Sequence, residues 1–70
     1  MTPLLEALTE REEAVLLLIA DDLGLREIAQ RLGISPRTVR GHRDSARKKL
    51  DVHTTTAAVA IVVRHRAAVG

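Results

Sequence analysis

The sequence predicts a small all-α domain. Apolar residues recur at helical spacing, helix-capping residues precede each apolar run, and no segment alternates with the two-residue period of a strand. Seventy residues suffice for one domain, and the chain contains no Phe, Tyr or Trp. Its core must therefore be built from Leu, Ile, Val and Ala, so we expect marginal stability that a partner subunit would improve.

The first helix is predicted to begin after Thr9. The run Thr9-Glu10-Arg11-Glu12 is a capping box, in which the Thr9 hydroxyl accepts from the Glu12 backbone and the Glu12 carboxylate accepts from the Thr9 backbone. We expect this helix to end near Asp21-Asp22. Its apolar stripe comprises Val15, Leu16, Leu18 and Ile19.

Two further helices are predicted to meet at a tight turn. The first spans residues 25–32 and ends at Gly33, because glycine tolerates the positive φ common after a helix. Ser35 caps the next helix, Pro36 occupies its first position, and the helix continues to about Leu50. Small or apolar residues stand where the two helices would cross: Ile28, Ala29, Leu32, Gly33, Ile34 and Val39. This spacing is typical of a helix-turn-helix.

A fourth helix is predicted from a cap at Thr54 or Thr55 to about His65. Its sequence AAVAIVVRH is apolar almost all round, whereas a helix on a small bundle buries only one side. An exposed apolar face usually marks an interface, so we expect a two-fold homodimer through this helix. The expected interface residues are Val59, Val62, Val63 and Arg66.

Positive charge is concentrated in one segment. Residues 1–34 carry a net charge of −4, residues 35–50 carry +5 and residues 51–70 carry +1. Such a concentration favours a polyanionic partner, although a solvated helix face would give the same pattern.

A helical wheel separates the two sides of the predicted third helix. Val39, Ala46 and Leu50 form a core side. The opposite side carries Arg37, Arg40, Gly41, Asp44 and Lys48, with Arg47 at the flank. A helix with such a ridge fits the major groove of B-form DNA, so charge and turn together predict binding to double-stranded DNA.

Other classes of protein are disfavoured by the composition. There is no cysteine, no apolar run approaching the ~18 residues that span a bilayer, and no signal-peptide pattern, so we expect a cytoplasmic protein without membrane contact. The three histidines are too far apart for a zinc motif, and no phosphate-cradling loop is present. We therefore expect no enzyme activity, no metal and no cofactor.

Residues 8–60 resemble the LuxR-type (FixJ- or GerE-like) DNA-binding domain of bacterial transcription regulators. The resemblance implies four helices, of which the second and third form the helix-turn-helix and the fourth commonly mediates dimerisation. We expect the domain over residues 8–66, with tails at 1–7 and 67–70. The most specific matches are Leu8-Thr9, Arg11-Glu12, Glu27-Ile28-Ala29, Ser35, Thr38-Val39-Arg40, His42 and Lys49-Leu50.

The resemblance also implies roles for individual side chains of the third helix. Arg40, Gly41 and Asp44 occupy positions that face bases, and Thr38, His42 and Lys48 occupy positions near phosphates. Arg40 is the best candidate for direct readout, since a guanidinium can donate twice to guanine, with a phosphate clamp as the alternative.

Charge and position also predict four phosphate contacts, one of them again at Lys48. They are Arg37, Arg47, Lys48 and Lys49. Lys49 could instead be a solvated helix end, and His42 a packed histidine. Arg43 lies beside the core side, where its stem would pack and its charged end would reach solvent.

Several residues depart from the family's pattern. Gly41 costs a helix ~1 kcal/mol against alanine but lets the backbone approach base edges. Asp44 is expected to pair with Arg40 or Lys48, or to accept from a cytosine amino group. Asp22 replaces a common glycine and tolerates a left-handed conformation. Leu17 and Leu25 replace polar residues, either as stray surface apolar residues or as a docking patch.

A protein-interaction module is the rival interpretation. The same fold, as in sigma-factor region 4, could bind RNA polymerase or another regulator. DNA binding weakens steeply with salt, whereas an apolar protein contact barely responds. The sequence shows no sensing domain, which fits a free-standing regulator, a phage-encoded one or part of a longer one. Without a sensor, concentration and dimerisation would set activity.

Overall fold

A computed structural model describes residues 7–69, which form four α-helices and no β-strand. The helices are α1 (Glu10–Ala20), α2 (Leu25–Leu32), α3 (Pro36–Lys49) and α4 (Thr55–Val69). The all-α prediction is confirmed. The expected end of the last helix near His65 is wrong, because residues 67–69 continue α4 rather than forming a tail. Residues 1–6 of the expected N-terminal tail, and Gly70, lie outside the described range.

The predicted caps form at the helix starts. The Glu12 amide donates to Thr9 Oγ1 and the Thr9 amide donates to Glu12 Oε1, both at 3.0 Å, which completes the capping box. Ser35 Oγ accepts from the Thr38 amide at 3.0 Å. Thr54, rather than Thr55, caps α4, because its Oγ1 accepts from the Ala57 amide at 3.1 Å. These side chains satisfy backbone donors that a helix start leaves without a partner.

Left-handed residues end α1, α2 and α3. Gly33 follows α2 with a φ of 69°, as predicted. Asp22 adopts a φ of 68° after α1, which confirms that an aspartate can take the place of the family's glycine there. Asp51 adopts a φ of 57° after α3, a feature that we did not predict.

Two clusters of buried side chains make up the core of the described residues. The turn cluster joins α1, α2 and α3 through Val15, Ile28, Ala29 and Val39. The α4 cluster joins α1, α3 and α4 through Leu16, Ala46, Leu50, Ala58 and Val62. Ile19 packs against both clusters. The helix-turn-helix, formed by α2 and α3, therefore packs against α1, and α4 packs against α1 and the C-terminal half of α3.

Three apolar residues differ from their expected positions. Leu17 and Leu25 are half-buried, packing against the α4 cluster and the turn cluster, so they are not stray surface residues. Val62 is completely buried, so its expected place in a dimer interface is wrong. The reason is the rotation of α4, which turns Ala58 and Val62 inward, one helical turn apart, and leaves Val63 41% exposed.

Within residues 7–69, no helix is both long enough and apolar enough to span a membrane.

Candidate nucleic-acid interface

The third helix has one buried side and one solvent-facing side. Val39 and Ala46 are completely buried and Leu50 is nearly so, as the wheel predicted. The opposite side exposes five of the residues that we selected from the sequence: Arg37, Thr38, Arg40, Gly41 and Lys48. Because the buried side packs against α1, α2 and α4, the exposed side forms a basic ridge that points away from the protein.

The start of this ridge carries two hydroxyl groups. Ser35 Oγ and Thr38 Oγ1 lie 2.9 Å apart, within hydrogen-bond distance. Ser35 Oγ also accepts from the Thr38 amide, so the two side chains are held together at the positive end of the helix dipole. This arrangement places polar donors where an anion would be favoured.

Asp44, in the middle of α3, is paired with its neighbour in sequence. Arg43 Nε donates to Asp44 Oδ1 at 3.2 Å, and Nη2 lies at the same distance from that oxygen. The expected pairing with Arg40 or Lys48 is therefore wrong. Arg43 is half-buried, as predicted, but its guanidinium is held by Asp44 rather than free in solvent. The pair neutralises a carboxylate that would otherwise repel phosphates.

Lys49 turns away from the basic ridge. Its Nζ donates to Glu12 Oε1 at 2.8 Å and to the Ala7 carbonyl at 3.2 Å. These bonds hold the ammonium group against the start of α1 and away from the basic ridge, so they disfavour the phosphate contact predicted at Lys49. The physical reason is its position on the helix, where the side chain projects toward α1.

Glu12 is the buried partner in this contact, with 4% of its surface exposed. Burial alone would raise the pKa of its carboxyl group. Hydrogen bonds from Lys49, Ser45 and the Thr9 backbone, with the charge of Lys49, outweigh burial and lower the pKa from 4.5 to about 2. The sequence predicts only the capping-box role of Glu12, because a partner 37 residues away leaves no local signal.

Arg47 and His42 lie at the edges of the ridge. Both side chains are half-buried. Arg47 Nη1 donates to the Val52 carbonyl at 3.4 Å, which ties the end of α3 to the loop before α4. A guanidinium has five N–H donors, so this bond leaves Arg47 with donors for an anion.

The outer side of α4 is less polar. Val63 is exposed, and Val59 and Ala60 on the same side are half-buried. Arg66 Nη1 lies 3.6 Å from Glu13 Oε2, so this expected interface residue contacts α1 of its own chain.

Among residues 7–69, no three His, Asp or Glu side chains lie close enough together to hold a metal ion.

The sequence is similar to a known protein family and to several bacterial proteins. The family described as bacterial regulatory proteins, luxR family, matches residues 6–62. The uncharacterized response regulatory protein YgeK of Escherichia coli is 51% identical over 47 residues, which are 67% of this chain and 32% of that protein. The response regulator VraR of Staphylococcus aureus is 42% identical over 62 residues, 89% of this chain and 30% of VraR.

A third relative shows similar identity and coverage. The nitrate/nitrite response regulator protein homolog of Haemophilus influenzae is 42% identical over 57 residues, 81% of this chain and 27% of that protein. The chain thus spans about a third of the length of these relatives, or less. The family match covers most of the chain and includes all four helices' starts, so the chain belongs to the luxR family of bacterial regulatory proteins.

Proposed function

We propose that the chain binds specific sequences in double-stranded DNA as a dimeric transcription regulator, with α3 in the major groove. Its place in the luxR family supports a role in DNA-binding regulation. The observation that carries the proposal is the basic ridge of α3, exposed on a helix whose opposite side is completely buried. A rigid, cationic helix of this kind matches the width of the groove. Such a function would be carried out in the cytoplasm of a bacterium.

Base recognition is proposed for Arg40, Gly41 and Asp44. Arg40 is exposed and can donate twice to one guanine. A Cβ added at Gly41 would meet nothing within 4 Å, so the helix backbone is bare there and can approach base edges closely. Only one oxygen of Asp44 takes part in the pair with Arg43, which leaves the second oxygen as an acceptor for a base amino group.

Phosphate contacts are proposed for residues around these three. Such contacts position the helix without reading sequence. Lys49 is excluded from the set, because its ammonium group is bound to Glu12. The set consists of Arg37, Thr38, His42, Arg47 and Lys48.

Dimerisation is proposed through the outer side of α4. Val59, Ala60, Val63 and Ala67 recur at helical spacing along that side, and Val63 and Ala67 are exposed. Two copies paired there would present two α3 helices to half-sites about one DNA turn apart. Val62 is excluded from the interface because it lies in the core, whereas Arg66 stays at its edge.

The test is a selection of bound sequences from random duplex DNA. The wild-type protein should enrich one motif, and Arg40→Ala should lose preference at one base pair of each half-site. Arg64→Ala is the matched control, since it removes an exposed arginine from α4 and should leave the motif unchanged. Loss of the same base preference in both variants would contradict direct readout by Arg40.

Salt dependence separates this function from protein binding alone. Binding that releases counterions from several phosphates weakens steeply as salt rises, with a slope near 0.9 per phosphate on logarithmic axes. Affinity for RNA polymerase or another regulator, without any affinity for duplex DNA at low salt, would favour the protein-interaction module instead.

A further inference from the structure

Two adjacent residues in the first turn of α1 hold the far ends of both helices of the helix-turn-helix. Arg11 Nη1 donates to the carbonyl of Leu32, the last residue of α2, at 3.3 Å. Glu12 Oε1 accepts from Nζ of Lys49, the last residue of α3, at 2.8 Å. One turn of α1 therefore contacts the C-terminal ends of both α2 and α3.

The contact with α3 is the better shielded of the two. Glu12 is 4% exposed, and its Oε1 accepts from the Thr9 amide as well as from Lys49. Lys49 also donates to the carbonyl of Ala7, just before α1. Loss of the ammonium group would leave a buried carboxylate without its countercharge, which is costly.

The contact with α2 is exposed but well placed. The last carbonyls of a helix have no partner within the helix, and a cation there also complements the negative end of the helix dipole. Arg11 supplies a hydrogen-bond donor and a positive charge at the Leu32 carbonyl, immediately before the turn at Gly33. The two α1 contacts therefore add to the turn and to the buried turn cluster in fixing the direction of α3 relative to α2.

We infer that Arg11, Glu12 and Lys49 are positioning residues for base recognition, acting on the direction in which α3 presents Arg40, Gly41 and Asp44. This inference rests on the proposed function. None of the three lies on the basic ridge, so they act without touching DNA.

A small change in the direction of α3 disturbs contacts with bases more than contacts with phosphates. A 14-residue helix is roughly 20 Å long, so a tilt of about 5° moves its far end by roughly 2 Å. Hydrogen bonds to base edges tolerate only about 0.5 Å of variation in distance. Long, flexible arginine and lysine side chains can follow a phosphate over the larger displacement. Loss of a positioning residue should therefore reduce affinity for the selected site more than affinity for random duplex.

The test compares Lys49→Met with its neighbour Lys48→Met. Both substitutions remove one ammonium group and keep the stem, but Lys48 is exposed on the basic ridge and Lys49 is bound to Glu12. Affinities for the selected site and for random duplex are measured over a range of salt concentrations. Lys49→Met should lower the ratio of the two affinities about tenfold and leave the salt slope unchanged. Lys48→Met should lower the slope by about 0.9 and leave the ratio unchanged.

Conservative variants distinguish positioning from a loss of fold. Lys49→Arg, which keeps the charge, should recover most of the ratio. Arg11→Met removes an exposed contact and leaves no buried charge, so it replaces Lys49→Met in the test if that variant does not fold. It should lower the ratio of the affinities for the selected site and random duplex about threefold.

Each outcome decides the inference. A salt slope that falls in Lys49→Met as it does in Lys48→Met would show a phosphate contact and overturn it. An unchanged ratio in folded Lys49→Met, or in Arg11→Met if the former does not fold, would also overturn it. A wild-type protein without any sequence preference would overturn the proposed function, and this inference with it.

Discussion

Oδ1 of Asp44 lies 3.2 Å from both Nε and Nη2 of Arg43, on the side of α3 that carries the basic ridge. The two nitrogens of one guanidinium thus converge on a single carboxylate oxygen. Asp44 keeps its side chain 42% exposed in this pair, whereas that of Arg43 is 26% exposed. The carboxylate is therefore oriented and neutralised by a neighbour that lies closer to the core, and its second oxygen remains outside the pair.

Asp44→Ala should change the preferred DNA sequence. The second carboxylate oxygen is expected to accept from a cytosine amino group, and losing one such contact should cost about 1–3 kcal/mol of discrimination at that base pair. The measurement is a sequence selection with wild type and variant. Arg43→Met is the companion variant, expected to weaken binding to all duplexes because Asp44 is no longer neutralised. An identical motif for wild type and Asp44→Ala would show that Asp44 reads no base.

The same substitution at two glycines should have opposite effects on stability. Gly33→Ala forces an alanine to a φ of 69° and should lower the free energy of unfolding by about 1–2 kcal/mol. Gly41 lies inside α3 with free space around it, so Gly41→Ala should raise that free energy by about 1 kcal/mol. Its methyl group faces the proposed groove and should weaken DNA binding. Urea denaturation and DNA titration measure these effects, and destabilisation by Gly41→Ala would contradict an unobstructed helical site.

Acid should weaken the fold partly through Glu12. The pKa of this carboxyl group is about 2 in the folded protein against an ordinary 4.5, so its stabilising contribution is present above pH 4.5 and is lost as pH falls toward 2. The loss at pH 3 is up to about 2 kcal/mol, at ~1.36 kcal/mol for each pKa unit. Denaturation of wild type and Glu12→Gln at pH 7 and pH 3 isolates this contribution, because glutamine keeps the capping box and does not titrate.

The stability difference between those two proteins should shrink on acidification. A difference that is the same at both pH values would show that the ionised Glu12 carboxylate does not stabilise the fold.

Neighbouring valines of α4 should separate folding from self-association. Val62→Ala removes two methyl groups from the core and should cost about 2 kcal/mol of unfolding free energy. Val63→Asp alters an exposed residue and should change monomer stability by less than about 0.5 kcal/mol while abolishing the dimer. Denaturation in dilute solution gives the first effect, and sedimentation equilibrium with and without DNA gives the second. Equal self-association of wild type and Val63→Asp would contradict the proposed interface.

Local signals explain why most of the fold could be predicted from the sequence. Thr9, Ser35 and Thr54 each accept from a backbone amide three residues ahead, so their roles are readable from short patterns. Gly33 is likewise identified by its place between two helices. The buried side of α3 follows from a clear amphipathic pattern, in which Val39 and Ala46 alternate with charged residues.

The sequence predictions are wrong where a helix is apolar on nearly every side or where the partner of a side chain differs from the one that local spacing suggests. Because α4 is apolar on nearly every side, its sequence cannot tell whether Val62 or Val63 faces the core, and only packing against α1 and α3 decides it. Lys49 pairs with Glu12 across 37 positions, a contact that leaves no local signal in the run of basic residues at the end of α3. For Asp44 the four-residue spacing of helical ion pairs predicts Arg40 or Lys48 as the partner, whereas the long Arg43 side chain reaches its immediate neighbour.

Ile19 packs against both the turn cluster and the α4 cluster, which otherwise bury different residues. The interior beneath the turn is therefore distinct from the interior beneath α4, although Ile19 packs against both clusters and α3 contributes residues to each. Substitutions at Ala58 and Val62 could shift α4, and with it the proposed dimer interface, while the side chains packed with Val39 stay as they are. Such a division would let the distance between the proposed half-sites change while the base contacts proposed for α3 are kept.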